Sequence, residues 1–274
     1  MKFITKAAHA VAGALASFVV FASTASAQDK LKVFDAFDAD SAVVVDHGAW
    51  DAFLSAYVVT FDDGRTAVNY AGVTDTDKEA LKEYVSALEA IDPTTLSRAE
   101  AFVYRVNLNT AVTVDVILDN YPLKSIRSIF SGFRPGPWGR KLIEVNGVDI
   151  TLDNVEHGIL RPFFDDNRVH YAVNCASIGC PNLLDSAFRA EGLDETLDAA
   201  AREYVNHPRG FRVDGDRVIA SSIYNWFQED FGGDEAGVIA HLKKFAEPEL
   251  AETLSGVDDI DKYEYDWALN DSTQ

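Results

Sequence analysis

A short stretch of the chain contains the residue types that support nucleophilic chemistry. Glu156 and His157 are adjacent, His170 follows them, and Cys175 and Cys180 come next. A thiolate is the nucleophilic form of cysteine, and a neighbouring imidazole can favour it by accepting the thiol proton. The spacing therefore predicts one chemical site around Cys175, where a thiol would attack an amide or an ester.

The pattern around the second histidine favours His157 as the general base. Residues 169–174 are apolar enough to predict a buried strand, in which His170 and Cys175 would point to opposite faces. His157 would then act on the thiol from a neighbouring short helix, with Glu156 as the orienting carboxylate. Glu156 could equally do no more than cap that helix, and His170 could be structural or could line the site.

The two cysteines also allow a different reading. Cys175 and Cys180 are separated by four residues in a segment with turn-forming glycine and proline, and an exported protein could join them in a disulfide. Both sulfurs and both nearby histidines are possible zinc ligands, but their spacing matches no standard zinc motif. The sequence therefore leaves thiol and disulfide open, and we expect neither a metal nor a cofactor.

Several other residues are candidates for binding a substrate. Asn107 interrupts a long apolar segment, where it would either brace the core or line the site. The amides of Ala176 and Ser177 follow the predicted nucleophile and could face a developing oxyanion. Trp226, Tyr265 and Trp267 carry rings of the kind that bind sugars or peptides, and they could line a pocket. The expected partner is a small-molecule or peptide substrate.

The elements that would position these residues indicate an α+β fold. Two capping boxes, Thr76 with Glu79 and Ser97 with Glu100, begin helices, and the second helix is apolar on several faces, which predicts a buried central helix. Turn dipeptides predict hairpins at Asp63-Gly64, Asn146-Gly147 and Asp214-Gly215. Two further helices are expected, over residues 193–205 and around residues 238–245. Helices and hairpins alternate without repeated strand-helix-strand units, so we expect one compact domain over residues 28–274 with a small sheet.

Charge excludes one class of partner. The chain of 274 residues has 44 acidic against 24 basic residues and a formal net charge of −20. Such a surface repels phosphate backbones and anionic lipid headgroups. Nucleic acid is therefore not expected as a partner.

Four blocks of the sequence resemble domain-of-unknown-function family 547, within a region from about Ser97 to Phe245. They are residues 121–126 (YPLKSI), 155–161 (VEHGILR), 173–183 (VNCASIGCPNL) and 222–231 (SIYNWFQEDF). The family has no established activity. The resemblance implies a distant relation to cysteine hydrolases of the papain and transglutaminase type, with their Glu, His and Cys falling on Glu156, His157 and Cys175.

One segment departs from the family pattern. Where the family shows Trp-Ile-Asn-Leu-Tyr-Asn-Ala, residues 105–111 read Arg-Val-Asn-Leu-Asn-Thr-Ala. Asn107 and Ala111 match, whereas Arg105, Asn109 and Thr110 do not. The alternative to an enzyme is a binding or scaffold protein of the cell envelope, in which Cys175 and Cys180 are joined.

The N-terminus has the three parts of a secretory signal peptide. Lys2 and Lys6 precede a mostly apolar run over residues 7–22, and Ala25-Ser26-Ala27 forms a small-residue cleavage site. The run is shorter than the roughly 20 residues that span a bilayer, and no cysteine at the cleavage site offers a lipid anchor. We expect residues 1–27 to be removed and the mature protein to be periplasmic or secreted without a stable membrane anchor.

Intact-mass analysis of the exported protein should accordingly find a chain that begins at Gln28. An Ala27→Arg variant, which introduces a large charged residue at the cleavage position, should accumulate uncleaved, whereas an Ala22→Ser variant should be processed normally. Wild-type protein recovered in the membrane fraction with residues 1–27 attached would contradict this prediction.

Overall fold

The computed structural model describes residues 30–273. The predicted signal peptide, residues 1–27, lies outside the described residues. Helices and short antiparallel strands intermix along the chain, as expected for an α+β fold.

One long helix, α3 (Arg98–Asn120), passes through the larger of two hydrophobic core clusters. Ser97 accepts a hydrogen bond from the Glu100 amide at 3.2 Å, so the predicted cap is confirmed, but the Glu100 carboxylate accepts from the Val45 amide at 2.7 Å. By length and composition the helix is apolar enough to cross a membrane. However, 94% of its most apolar 18-residue stretch is buried inside the protein. It is the predicted central core helix.

The elements before α3 pack around it. They are α1 (Gly48–Tyr57), a hairpin of β1 (Val58–Thr60) and β2 (Thr66–Val68), and α2 (Asp75–Glu89). The hairpin turns at Asp63-Gly64 as predicted, because Gly64 adopts a positive φ of 86°. The predicted cap of α2 is wrong: Thr74, rather than Thr76, accepts the hydrogen bond from the Asp77 amide.

The middle of the chain contains the elements nearest the predicted site. They are the hairpins of β3 (Phe130–Ser131) with β4 (Arg134–Pro135) and β5 (Ile143–Val145) with β6 (Val148–Ile150), a π-helical segment (Asn154–Leu160), α4 (Arg161–Phe164) and α5 (Val169–Ala172). The strand predicted over residues 169–174 is wrong, because its first four residues form one helical turn. His170 and Cys175 are therefore not held on opposite faces of a strand.

The last part of the chain builds the second core cluster. Its elements are α6 (Leu193–Asn206), β7 (Phe211–Asp214), β8 (Arg217–Ser221), α7 (Ser222–Trp226), α8 (Glu235–Phe245), α9 (Pro248–Ser255) and β9 (Lys262–Glu264). The strands form one sheet in the order β7-β8-β9, with β8 and β9 parallel. Tyr171 of α5 packs in this cluster while its neighbours Val169 and Ala172 pack in the first, so α5 lies between the two.

Two buried histidines stay neutral in the folded protein. His47 Nδ1 lies 2.6 Å from the Tyr84 hydroxyl, and burial, with a contribution from Arg189, lowers the pKa of His47 to about 4. His241 Nε2 lies 2.7 Å from the Tyr171 hydroxyl, and burial, with the charge of Lys244, lowers the pKa of His241 to about 4. Neither ring can be protonated near neutral pH without loss of stability.

The free energy of unfolding should therefore fall as the pH decreases below 6.5. The unfolded chain takes up a proton at each position near pH 6.5, whereas the folded chain does so only near pH 4, so the stability is fully present above pH 6.5. Each histidine should cost roughly 2 kcal/mol between pH 6.5 and pH 5, measured by urea unfolding.

His241→Gln should remove about half of this pH dependence, whereas His157→Gln, which alters a partly exposed histidine, should retain it. A free energy of unfolding that does not change between pH 6.5 and pH 5 would contradict the buried neutral state of both rings.

Candidate functional site

The two cysteines lie on a loop that follows α5 and contains an unusual backbone conformation. Ala176, directly after Cys175, has a φ of 56°, in the left-handed region that non-glycine residues rarely adopt. Its amide donates to the Asn174 side-chain oxygen at 2.8 Å, which secures the turn. Both Cys175 and Cys180 are free thiols, with Cys180 buried and Cys175 partly exposed.

The C-terminal segment pairs with this loop. Gly179 and Ile178 donate backbone hydrogen bonds to the carbonyls of Asp266 and Ala268, both at 2.9 Å, and Asn270 donates to the carbonyl of Ala176 at 3.3 Å. A Cβ atom at Gly179 would lie 2.9 Å from the Asp266 nitrogen and 3.0 Å from its oxygen. Only glycine permits this approach, which places Tyr265 against the thiols.

A cluster of two thiols and two hydroxyls results. The Tyr265 hydroxyl lies 2.9 Å from Cys175 Sγ, 2.8 Å from Ser177 Oγ and 3.2 Å from Cys180 Sγ. Ser177 Oγ lies 3.2 Å from Cys175 Sγ, and the Cys175 amide donates to Cys180 Sγ at 3.0 Å. Cys180 therefore accepts hydrogen bonds from two fixed donors, which stabilise a negative charge on its sulfur.

The two thiols share one readily lost proton. Burial alone would raise the pKa of Cys180, but hydrogen bonds from the Cys175 thiol, the Tyr265 hydroxyl and the Cys175 amide lower it to about 7. The hydrogen bond with Cys180, followed by burial, raises the pKa of Cys175 well above its ordinary value. Burial and the nearby thiols also raise the pKa of Tyr265, so its hydroxyl remains a donor. Near neutral pH the pair can hold one negative charge.

Acidic and imidazole groups form a second cluster. Glu156 Oε1, on the π-helical segment, lies 3.7 Å from His157 Nδ1 and 3.9 Å from His170 Nδ1. His170 Nε2 lies 2.7 Å from Asp230 Oδ2, and Arg161 pairs with the same carboxylate at 2.5 and 3.0 Å. Burial opposes ionisation of Asp230, but the hydrogen bonds from His170 and Arg161 outweigh it and lower the pKa of Asp230 well below its ordinary value.

Both clusters line one cavity of about 230 Å³. Cys175, Cys180 and Tyr265 lie on its wall together with Glu156, His157 and His170. Among residues 30–273, no hydrogen bond joins either imidazole to either thiol, and no group of three or more histidine, cysteine or acidic side chains is arranged to hold a metal ion. The thiol pair and the imidazoles are therefore placed to act on different atoms of one ligand.

Aromatic rings form another wall of this cavity. Trp267 lies 5.6 Å from Trp138 in an edge-to-face arrangement and 5.6 Å from Trp226 in a stacked one, and Trp226 lies 4.8 Å from Tyr265. Burial raises the pKa of Asp153, which lines the cavity next to Trp138 and donates its amide to the Trp138 carbonyl at 3.1 Å. The wall thus extends from a carboxylate to the thiols.

The structure brings most of the predicted site residues together. His170, Trp226 and Trp267 line the cavity with Cys175, and Ser177 contacts the Cys175 sulfur. Asn107 does not line the cavity: its side chain binds the carbonyl and amide of Phe188 at 2.9 and 3.1 Å and contacts His47, so it braces the core. The Ala176 amide, considered for an oxyanion, is occupied by Asn174.

Other lining residues were missed by the sequence interpretation. Asn109 and Thr113, one turn apart on α3, face the cavity, and Asn109 is one of the positions that depart from the family pattern. The four-residue spacing of Asn109 and Thr113 places them on one face of α3, but it does not tell which face of a helix that is buried on all sides adjoins a cavity. Tyr265 was predicted to line a pocket with Trp226 and Trp267, but its contact with Cys175, 90 residues away in the chain, was not predicted.

Comparison with known proteins gives a family for the region that contains this cysteine loop. The profile of the protein of unknown function DUF547 matches residues 93–205. This match supports the resemblance to domain-of-unknown-function family 547 for residues 93–205. No curated protein and no solved structure matches the chain significantly.

The DUF547 region supplies only part of the cavity. It contains α3, both thiols, and Glu156 with the two histidines of the cavity. Trp226, Tyr265 and Trp267 lie after residue 205. The thiol pair is thus built inside the DUF547 region, and its hydroxyl and aromatic neighbours come from the segment beyond it.

Titration of thiolate absorbance should therefore reveal one thiolate per native molecule with a midpoint near pH 7. Tyr265→Phe should raise this midpoint because Cys180 loses a hydrogen-bond donor, and Cys180→Ser should abolish the transition. Tyr263→Phe is the matched control, because Tyr263 binds Glu235 and does not line the cavity.

A native protein that forms no thiolate below about pH 8.5, the ordinary pKa of cysteine, would contradict the shared-proton arrangement.

Proposed function

We propose that this protein is a thiol-dependent hydrolase or acyl transferase that acts on an amide or ester, with Cys175 as the nucleophile. The observation that supports this most directly is that Cys175, a partly exposed residue, lines a cavity beside a second thiol whose pKa is lowered to about 7. Covalent catalysis by cysteine requires a thiolate, and because the pKa of Cys175 is itself raised, we assign the Cys180 thiolate as the base that takes the Cys175 proton.

In the proposed reaction, the Cys180 thiolate takes the proton of the Cys175 thiol while Cys175 Sγ forms a bond to the acyl carbon, and a thioester results. The bond from that carbon to the leaving nitrogen or oxygen breaks, and the leaving group takes up a proton. Water or another acceptor then attacks the thioester and restores the thiolate. Before the attack, the negative charge lies on Cys180 Sγ, which accepts hydrogen bonds from the Cys175 amide and the Tyr265 hydroxyl.

His157 is assigned the proton transfer, and Glu156 orients its ring. The Glu156 carboxylate lies 3.7 Å from His157 Nδ1, Asp153 lies 4.0 Å from Nε2, and His157 lines the cavity. Because no hydrogen bond joins His157 to Cys175 among the described residues, we assign the imidazole to the leaving group and the attacking water rather than to the resting thiol.

The negatively charged intermediate needs a donor near the attacked carbon. The Tyr265 hydroxyl is 2.9 Å from Cys175 Sγ and remains protonated because its pKa is raised. Once the thiolate has reacted, this hydroxyl can donate to the new oxyanion. Tyr265 takes the role considered earlier for the Ala176 amide.

The alternative is a non-catalytic binding or scaffold protein of the cell envelope with Cys175 and Cys180 oxidised. The observation that favours it is the short approach of the two cysteines, with the Cys175 amide 3.0 Å from Cys180 Sγ. The number of free thiols in native protein from its own compartment separates the two proposals, since a disulfide sulfur is not a nucleophile.

Incubation with activated acyl esters should produce a covalent acyl adduct on Cys175, detected by peptide mass spectrometry. Cys175→Ala should abolish both the adduct and turnover. His157→Gln should slow turnover by roughly 10²- to 10⁴-fold, the usual contribution of general acid-base catalysis. His207→Gln serves as the matched control, because His207 does not line the cavity.

Two native thiols that give no adduct with any acyl ester, in protein that is otherwise folded, would contradict the acyl-transfer proposal. The absence of free thiols before reduction would instead favour the scaffold.

A further inference from the structure

The charged groups of the cavity are unevenly distributed. Two carboxylates, Asp153 and Glu156, line it, whereas no lysine or arginine is among its lining residues within the described part of the chain. A thiolate on the Cys175 and Cys180 pair would add a further negative charge. A concave site with low-dielectric walls and one sign of charge concentrates ligands of the opposite sign.

Within residues 30–273, the two histidines are the only basic partners of either carboxylate at ion-pairing distance. Asp153 lies 4.0 Å from His157, and Glu156 lies 3.7 Å from His157 and 3.9 Å from His170. Arg134 acts on Asp153 only at longer range. Arg161, which stacks on Phe227 at 4.7 Å, is neutralised by its ion pair with Asp230.

The aromatic wall connects these carboxylates with the thiols. It begins at Trp138, whose carbonyl accepts from the Asp153 amide, continues through Trp267 and Trp226, and ends at Tyr265 beside Cys175. Indole faces attract ammonium and guanidinium groups. Trp267 already does so within the protein, because the Arg127 guanidinium lies 5.1 Å above its ring.

We propose that the cavity selects acyl substrates that carry a positively charged ammonium or guanidinium group. The cation lies between Asp153, Glu156 and the tryptophan wall, and the reactive carbonyl lies at Cys175. That the bound cation is part of a substrate rests on the proposed acyl transfer. The cation site itself is inferred from the carboxylates and the aromatic rings. A carboxylate or phosphate at the same position would lie against two carboxylates that have no lysine or arginine partner at ion-pairing distance among the described residues.

Two thiol reagents of similar size and opposite charge test this selection. Trimethylammonioethyl and sulfonatoethyl methanethiosulfonate each transfer their thioalkyl group to a thiolate, forming a mixed disulfide and releasing methanesulfinate. The loss of free Cys175 is followed by mass spectrometry, and the ratio of the two rates is divided by the ratio for a small free thiol. We expect a preference for the cation of about tenfold or more.

The combined variant Asp153→Asn with Glu156→Gln should bring this ratio close to that of the free thiol. Glu144→Gln with Asp149→Asn removes the same charge from the exposed β5-β6 hairpin and should leave the ratio unchanged. A wild-type ratio equal to that of the free thiol, or a preference for the anion, would overturn the proposal.

A binding measurement separates failure of this inference from failure of the acyl-transfer proposal. Phenyltrimethylammonium should quench the tryptophan fluorescence of Cys175→Ala saturably, the neutral analogue tert-butylbenzene should bind at least about tenfold more weakly, and Asp153→Asn with Glu156→Gln should remove the difference. If Cys175 reacts with neither reagent but the cation binds, the cation site stands and the nucleophile is wrong. If the cation binds no better than the neutral analogue, the cation site is overturned whatever the thiol does.

Discussion

Backbone hydrogen bonds between residues 176–179 and residues 266–270 join the cysteine loop to the C-terminal segment. The position of both thiols relative to Tyr265 depends on this pairing, because the loop has no regular secondary structure of its own. It requires glycine at 179, where a side chain would meet the Asp266 backbone. The same segment continues to β2, where Val68 bonds to Asn270 and Ser272, so the hairpin near the N-terminus and the thiol loop are held by one strand-like tail.

Local signals explain what could be predicted from the sequence. The cap at Ser97 and the turn glycines each act through a few neighbouring residues, and α3 and all three predicted hairpins formed where these signals placed them. The failure at Val169–Ala172 has a tertiary cause. This single turn is short enough for either conformation, and it is helical where its apolar side chains reach two different cores.

The site could be predicted only as far as its residues are neighbours in sequence. Glu156, His157, His170 and the cysteines were found because they lie close together along the chain. The partners that set their chemistry are distant: Tyr265 contacts Cys175 across 90 residues, and Asp230 contacts His170 across 60. The local pattern does not show which distant residue each of them contacts, because these contacts form only in the folded chain. The distant Tyr265 hydroxyl, together with the local hydrogen bonds from Cys175, lowers the pKa of Cys180.

The separation of thiol and imidazole has a consequence for the proposed reaction. When an imidazole hydrogen-bonds the thiol directly, it must take the thiol proton before it can serve the leaving group. In this cavity the negative charge lies on Cys180, where the Tyr265 hydroxyl stabilises it. The nucleophile can therefore form without a proton transfer to or from His157. His157 and Glu156 then remain available at the part of the cavity wall where Asp153 adds negative charge. A substrate that places a cation against that wall would also bring its leaving group towards the imidazole, which links the proposed selectivity to the proposed proton transfer.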